Sequence, residues 1–244
     1  MQNTSNITNW DTIVAGEHWF VTALDIFWGS GTSDYYYVGE SQIFSVTTST
    51  EMFTSTPVIG KAIAGEIDIE MLNPDYEIPK MAKIRPYVRA KNETLESWWL
   101  PQGVYYVDTR QVTHNDNGLD VLTIHGFDAM LKAEQDWYDK SNLNWSSGTV
   151  VDTAMVAEIA SIMGVSVDSR TNTIMNKSYR IPMPLGYSCR EVLGYIAGMY
   201  CGCFIITENG ALRLVSMTEL PPETNLLVDS VGARIVFGSD RILI

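Results

Sequence analysis

Three histidines are the side chains of this sequence best suited to acid–base or metal chemistry. His18 stands apart, whereas His114 and His125 fall on the two arms of one expected hairpin and could approach each other. A zinc site needs three or four ligands, and no cysteine or histidine cluster supplies the others. We therefore expect the histidines to lie on strand surfaces, with no metal and no cofactor bound.

The three cysteines, Cys189, Cys201 and Cys203, lie late in the chain. Redox motifs place two residues between their cysteines, whereas only Gly202 separates Cys201 from Cys203. An odd, clustered set does not suggest a disulfide framework. We expect free thiols that pack as small buried hydrophobic groups in a reducing compartment.

No catalytic motif supplies a nucleophile or a phosphate loop. The sequence contains no nucleophile elbow, no P-loop and no dinucleotide fingerprint. Asp68 and Glu70 resemble the paired carboxylates of glycosidases. With Glu66 they alternate along one segment, however, and this pattern is more typical of a solvated acidic face. We predict that the protein is not an enzyme and has no catalytic residues.

The segment 63–71 has the clearest strand pattern in the chain. Apolar residues and Gly65 occupy its odd positions, whereas Glu66, Asp68 and Glu70 occupy three of its even positions. Alternation with a period of two predicts a strand with one buried face and one wet face. The acidic residues should share the wet face.

Five further segments before residue 128 also favour strands: 18–28, 42–48, 83–91, 104–114 and 119–127. Pro86 places segment 83–91 at a sheet edge or at a bulge, because proline cannot donate to a strand ladder. Short strands separated by turn signals predict a small antiparallel β-barrel. We assign it to residues 16–128, after a polar N-terminal arm, 1–15.

The pattern changes to mixed helix and strand after Phe127. Asp128 can cap a helix over 129–135, and a second helix is expected over 149–163. Ser188 and Glu191 form a capping box for a helix over 189–200. Asn209-Gly210 predicts a hairpin between 203–208 and 211–217, and 179–183 favours a strand.

These patterns predict an α+β chain: an antiparallel β-barrel domain followed by a small helix–strand–helix–hairpin domain, 129–220. Residues 221–244 should hold strands that return to the barrel or start a second one.

The charge balance restricts the range of partners. The chain has 16 Lys and Arg against 29 Asp and Glu, a formal net charge of −13. Broad basic surfaces for nucleic acids or anionic membranes are therefore disfavoured. The apolar stretch 192–206 falls short of the ~20 residues that cross a bilayer. Residues 1–10 lack the features of a secretory signal, so we expect neither membrane insertion nor secretion.

The tryptophans offer three interpretations. Trp98, Trp99, Trp137 and Trp145 can form a sugar-binding platform, anchor a subunit interface or belong to the core. For the adjacent pair Trp98 and Trp99 we favour the subunit interface.

Three passages resemble the N-terminal part of phage tail baseplate hub proteins, which form the ring at the tube end of long-tailed phages. The first is the acidic strand segment 64–70 followed by 79–88. The second combines 103–108 with 122–131, and it is similar to the end of the first barrel of these hubs. The third combines 187–197 with 204–214, and it is similar to the helix–hairpin unit of their next domain.

The resemblance implies a structural protein of the virion tail tip, made in the host cytoplasm. Hubs assemble as homotrimers around a DNA ejection channel, so Glu66, Asp68 and Glu70 would face the channel and DNA would pass without specific binding. Expected partners are the tail tube, distal tail and tape-measure proteins and receptor-binding or fibre proteins. Hubs continue into a second barrel, so this chain is expected to be a fragment, a minimal hub or a neighbouring component that shares the barrel.

Two other functions stay open at this point. One is a distal tail ring protein, again structural but hexameric. The other is a carbohydrate-binding or cell-wall-degrading tail module that uses exposed tryptophans.

Overall fold

The computed structural model describes residues 9–29, 34–50, 59–74, 77–114, 118–137 and 148–216, with the backbone of 236–237 and 240–241. The helices are α1 (Trp10–Val14), α2 (Asp152–Met163), α3 (Ser169–Ile174) and α4 (Cys189–Met199), with 3-10 helices at Glu40–Gln42 and Ala129–Glu134. The strands are β1 (Trp19–Phe27), β2 (Tyr35–Val38), β3 (Ile43–Ser49), β4 (Lys61–Ala62), β5 (Glu66–Leu72), β6 (Lys83–Lys91), β7 (Leu100–Pro101), β8 (Tyr105–His114), β9 (Asp120–Asp128), β10 (Thr149–Val151), β11 (Arg180–Pro182), β12 (Gly202–Ile206), β13 (Leu212–Ser216), β14 (Val236–Phe237) and β15 (Asp240–Arg241).

An antiparallel sheet dominates the first half of the described chain. Its strand order is β2-β1-β6-β8-β9-β5-β3, and β7 pairs with β6 beside this path. Helices α2 and α4 follow in the second half, so the α+β class predicted from the sequence is confirmed.

The sheet is not closed into the predicted barrel. Among the described residues, its hydrogen-bonded order ends at β2 on one side and at β3 on the other. These two strands are nevertheless consecutive in the chain, since only Gly39 and the 3-10 helix Glu40–Gln42 separate them. Such a link spans at most roughly 18 Å, so the sheet must curl to bring its ends close. The 3-10 helix redirects the chain between the two edges, and a ladder between them does not form.

Alternating side chains build the core inside the curled sheet. In β5, Ile67, Ile69 and Met71 are fully buried while the residues between them are exposed. They pack in a cluster with Leu24, Ile26, Val38, Ile78, Ala82, Ile84, Tyr105, Val107, Leu122 and Ile124. This outcome matches the period-two pattern of the sequence.

Pro86 does not place β6 at an edge, contrary to the sequence-based expectation. β6 pairs with β1 along its whole length. On its other side it pairs with β8 at Lys83 and Ile84 and with β7 at Tyr87 and Val88. Pro86 lies between these two short ladders, where a missing N–H group leaves no ladder bond unmade.

A second core forms around α2 and α4 and the sheet β13-β12-β4. Strand β4 joins this sheet by parallel pairing with β12, although it precedes β5 in the chain. Glycines allow α4 to lie close to β4: a Cβ atom on Gly194 would come within 3.0 Å of the Gly60 carbonyl oxygen. Gly194 therefore serves close packing of the helix against this strand segment. The domain boundary at residues 128 and 129 stays a prediction.

Local capping agrees with the sequence at two helices. The Ser188 hydroxyl accepts a hydrogen bond from the Glu191 N–H group, and the Glu191 carboxylate accepts one from the Ser188 N–H group. The Asp128 carboxylate accepts one from the Met130 N–H group at the start of the 3-10 helix Ala129–Glu134. None of the helices in the described ranges combines the length and hydrophobicity needed to cross a bilayer.

Candidate assembly surface

The outward face of β5 carries an acidic strip, defined as Glu66, Asp68 and Glu70. All three are exposed, as the sequence predicted. Strand β5 lies between β3 and β9, so the strip is flanked by their outward side chains. The Asp68 carboxylate contacts His125 Nδ1 at 2.8 Å, and the Glu70 carboxylate accepts a hydrogen bond from the Ser45 hydroxyl at 3.5 Å.

Basic residues occupy the outward face of β6. In the sheet, β8 and β9 lie between β6 and β5. The set is Lys83, Arg85, Arg89 and Lys91, and each side chain is partly buried. Arg89 and Lys91 form ion pairs with Glu96. The outer surface of the sheet thus has an acidic side and a basic side.

Trp98 and Trp99 have different environments. Trp98 is 70% exposed, whereas the Arg89 guanidinium lies 4.6 Å from the centre of the Trp99 ring. Buried Ser97 holds the backbone here: its hydroxyl accepts a hydrogen bond from the Ala90 N–H group and donates one to the Trp98 carbonyl. Trp98 is therefore an exposed ring on a fixed backbone, which is typical of an interface anchor.

Trp137 does not contribute to an exposed platform. Its side chain is fully buried in the second core, which agrees with the core interpretation and excludes it from any sugar-binding surface. Trp145 lies outside the described residues.

The histidines of the hairpin do not meet. His114 pairs in register with Asp120, and its Nδ1 contacts that carboxylate at 2.5 Å. His125 lies opposite Thr109, several pairs away, and contacts Asp68. The part of the chain that the structure describes contains no group of three potential metal-ligating side chains.

No disulfide joins the three cysteines, all of which lie within the described residues, and they differ in burial. Cys189 and Cys203 are buried, whereas Cys201 is exposed. The expectation of three buried thiols is wrong for Cys201 because this residue turns the chain from α4 into β12. Its φ of 50° lies in the left-handed region and leaves the side chain outside the second core.

Asp128 is a buried carboxyl group whose burial the sequence did not reveal. Besides the bond from Met130, its carboxylate accepts a hydrogen bond of 2.7 Å from the Gly65 N–H group at the entry to β5. Burial raises the pKa of Asp128 to about 6, although both N–H groups and the charge of Arg190 act in the opposite direction. The capping pattern was visible in the sequence, but the second bond joins residues that are 63 positions apart.

A small polar cleft lies beside Asp128. Its volume is about 280 Å³, and it is lined partly by the hydroxyl side chains of Thr48, Ser49, Thr50 and Thr207. Asp128 is already engaged by two backbone donors, and Glu208 also lines the cleft.

Comparison with known proteins finds likeness at the level of structure. The sequence matches no family profile and no curated protein. The tail protein from Neisseria meningitidis MC58 superposes with a TM-score of 0.50 at 14% identity, over 84% of this chain and 53% of that one. A 43 kDa tail protein of prophage MuSo2 from Shewanella oneidensis gives 0.47 at 14% identity, over 80% and 52%. A chain of the Francisella PdpA-VgrG complex gives 0.44 at 8% identity, over 83% and 29%.

The chain thus spans about half the length of the two tail proteins. At 14% identity, the likeness to the Neisseria tail protein concerns the fold alone.

Proposed function

We propose that this chain is a non-enzymatic structural component of a phage-type tail, which assembles with copies of itself into a ring at the tail tip. The observation that carries the proposal is the likeness of its fold to the Neisseria tail protein over most of the chain. The hub-like sequence passages around residues 64–70, 122–131 and 187–197 support the same assignment. The hub itself, as a homotrimer, is the form we favour.

The strand edges also support assembly. Within the described residues, the main sheet ends at β2 and β3, and its order gives them a neighbour on one side only. Residues 109–114 of β8 pair with β9 and extend beyond the short ladder to β6. Unpaired edges invite contact with another chain, and neighbouring subunits in a ring would cover them.

The acidic strip would border the passage for DNA. A channel that DNA must cross should repel phosphates, and carboxylates on its wall would do so. Glu66, Asp68 and Glu70 are exposed on one strand face, and the chain as a whole has a net charge of −13. In this role the ring would join the tail tube to distal tail, tape-measure and receptor-binding or fibre proteins, and DNA would pass through it without specific binding.

The test is the mass and shape of the purified protein. Light scattering at protein concentrations of roughly 100 µM, far above a micromolar Kd, should give a multiple of the 27.3 kDa chain. Electron micrographs should show rings with an open centre. Three subunits favour a hub and six favour a distal tail protein, whereas a strict monomer without rings would overturn the proposal.

We further propose that Trp98 anchors a subunit contact, together with neighbouring Trp99. Trp98→Ala should weaken self-association by roughly 30-fold or more, as expected for a tryptophan hot spot, with little change in thermal midpoint. Trp99→Ala should instead lower the thermal midpoint, because Arg89 loses the ring on which it lies. Equal self-association of Trp98→Ala and the wild type would remove Trp98 from the interface.

The exposure of Trp98 favours one other function, glycan binding. An exposed ring on a fixed backbone can stack on a sugar. A glycan array and a peptidoglycan pull-down should then give a signal that Trp98→Ala abolishes and that Trp19→Ala, which removes another exposed ring, does not. A blank array would leave the structural role as the only candidate.

A further inference from the structure

Three cations converge beside the basic face of β6. We call Lys83, Arg85 and Lys132 the cation triad. The Lys132 ammonium lies 3.7 Å from the centre of the Tyr106 ring, and the Arg85 guanidinium lies 5.6 Å from that of Phe27. Lys132 comes from the 3-10 helix Ala129–Glu134, whereas the other two lie on β6.

The cation triad lacks carboxylate partners within the described chain. Six other basic side chains there lie within 4.0 Å of a carboxylate oxygen: Lys80, Arg89, Lys91, Arg110, Arg170 and Arg190. No such ion pair involves the triad, and Arg85 Nε is buried without a hydrogen-bond partner. Burial lowers the pKa of Lys83, and the charges of Arg85 and Lys132 lower it further.

One carboxylate lies on the neighbouring strand but is engaged elsewhere. Asp25 of β1 is opposite Arg85 in register, and it accepts a 2.6 Å hydrogen bond from the Tyr35 hydroxyl. The protein has almost twice as many acidic as basic residues. These three cations nevertheless lack the neighbouring carboxylates that would neutralise their charge.

The acidic strip, in turn, lacks Lys and Arg partners among the described residues. Within the described ranges, no Lys or Arg nitrogen lies within 4.0 Å of its three carboxylates, and their polar partners there are His125 and Ser45. The two charged groups lie on one sheet surface, where Lys83, Tyr106, Phe127 and Glu66 follow one another in register across four strands. Three strand spacings place them roughly 14 Å apart, so they do not pair within one subunit.

We propose that the acidic strip of one copy docks on the cation triad of the next copy, head to tail. In this contact the three carboxylates of one copy pair with the three cations of the next. Each copy that uses its strip leaves its triad free for a further copy, and an interface of this kind closes into a ring when the rotation permits. Phe127, which is partly buried between the two groups, supplies apolar surface at the contact.

This inference rests on the proposed self-assembly, and it replaces the channel-lining role of the acidic strip: the strip lies at the contact between successive subunits, where its carboxylates pair with cations. DNA is the less favoured occupant of the triad. Its phosphates are continuous, so a duplex on the triad would also meet the acidic strip of the same subunit.

Charge reversal tests the contact. One variant carries Glu66→Lys, Asp68→Lys and Glu70→Lys, and a second carries Lys83→Glu, Arg85→Glu and Lys132→Glu. Each should weaken self-association by roughly 100-fold or more, because like charges then face each other. A third variant carries all six substitutions, and it should assemble like the wild type because the complementarity is restored with the same net charge. It should not form mixed assemblies with the wild type.

Controls separate this contact from general charge effects. Lys177→Glu with Arg180→Glu alters exposed cations outside the main sheet and should leave assembly intact. Circular dichroism shows whether each variant folds. If a triple variant does not fold, the single substitutions Glu66→Lys and Lys132→Glu and their combination replace it in the same test.

The outcomes distinguish the two proposals. Three results would overturn the head-to-tail contact alone. The two charge-reversed variants could still assemble, the six-substitution variant could fail to restore assembly, or the wild type could stop at two copies. A triad reversal that abolishes duplex DNA binding but not assembly would also overturn it. A wild type that stays monomeric would overturn the proposed function as well.

Discussion

Asp128 shows how one side chain couples the two halves of the described chain. Its carboxylate holds the Gly65 N–H group before β5 and the Met130 N–H group of the 3-10 helix, and it is almost completely buried. A carboxyl group whose pKa is higher in the folded than in the unfolded chain favours folding most when it is protonated. It contributes its full stability below about pH 4, and this contribution is lost as the pH rises through about 6.

Asp128→Asn should therefore change the pH dependence of stability. One contribution is independent of pH: the substitution lowers the free energy of unfolding by roughly 1 kcal/mol, because one N–H group loses its acceptor. Relative to the wild type, however, the variant should gain free energy of unfolding between pH 4 and pH 7. The gain is at most about 3 kcal/mol for a pKa shift of about two units. Urea titrations at several pH values measure it, and parallel curves for the two proteins would contradict the assignment of this pKa.

Close packing of α4 on β4 depends on glycine at position 194 but not at position 198. An added Cβ atom on Gly194 would lie 3.0 Å from the Gly60 carbonyl oxygen, whereas one on Gly198 would lie 3.6 Å from the Gly60 Cα atom. The first distance requires the backbone to shift, and the second is an ordinary contact.

Alanine substitutions at these two positions should have opposite effects. Gly194→Ala should lower the free energy of unfolding by roughly 1 kcal/mol, since overpacking outweighs the gain in helix propensity. Gly198→Ala should raise it by up to about 1 kcal/mol, because the helix gains propensity without a clash. Urea denaturation measures both, and equal effects at the two sites would contradict the packing argument.

Elements with a strong local pattern were predictable from the sequence. β6 has the predicted bounds, 83–91, and the acidic strip followed from alternation within β5. β2 was missed because Tyr35-Tyr36-Tyr37-Val38 has no alternation, and α1 was missed because its segment has only five residues and follows a polar stretch. Helix α2 begins later than predicted because Thr149–Val151 pairs with β11.

Features that join distant segments were not predictable. The open sheet depends on how its two end strands approach, which no local pattern encodes. The cation triad combines β6 with a residue of the 3-10 helix nearly fifty positions later, and the strand order alone brings them together. The burial of Asp128 has the same origin.

At the scale of the whole molecule, opposite charges on one surface make assembly sensitive to ionic strength. The Debye length falls from about 14 Å near 50 mM salt to about 4 Å near 500 mM, so attraction between strip and triad should weaken. The dissociation constant should rise by at least roughly tenfold over this range in sedimentation experiments. The six-substitution variant should show the same dependence, whereas a salt-independent constant would indicate an interface held by apolar contacts.

The parallel pairing of β4 with β12 has a consequence for biosynthesis. The two segments are separated by roughly 140 residues, a distance that delays contact formation. As the chain emerges from the ribosome, the large sheet can form once β9 has been made, while Lys61 and Ala62 must wait for Cys203 and Phe204. A nascent chain that stalls before residue 200 would therefore expose the apolar surface around Ala62, and such an intermediate should be a preferred substrate for chaperones of the producing cell.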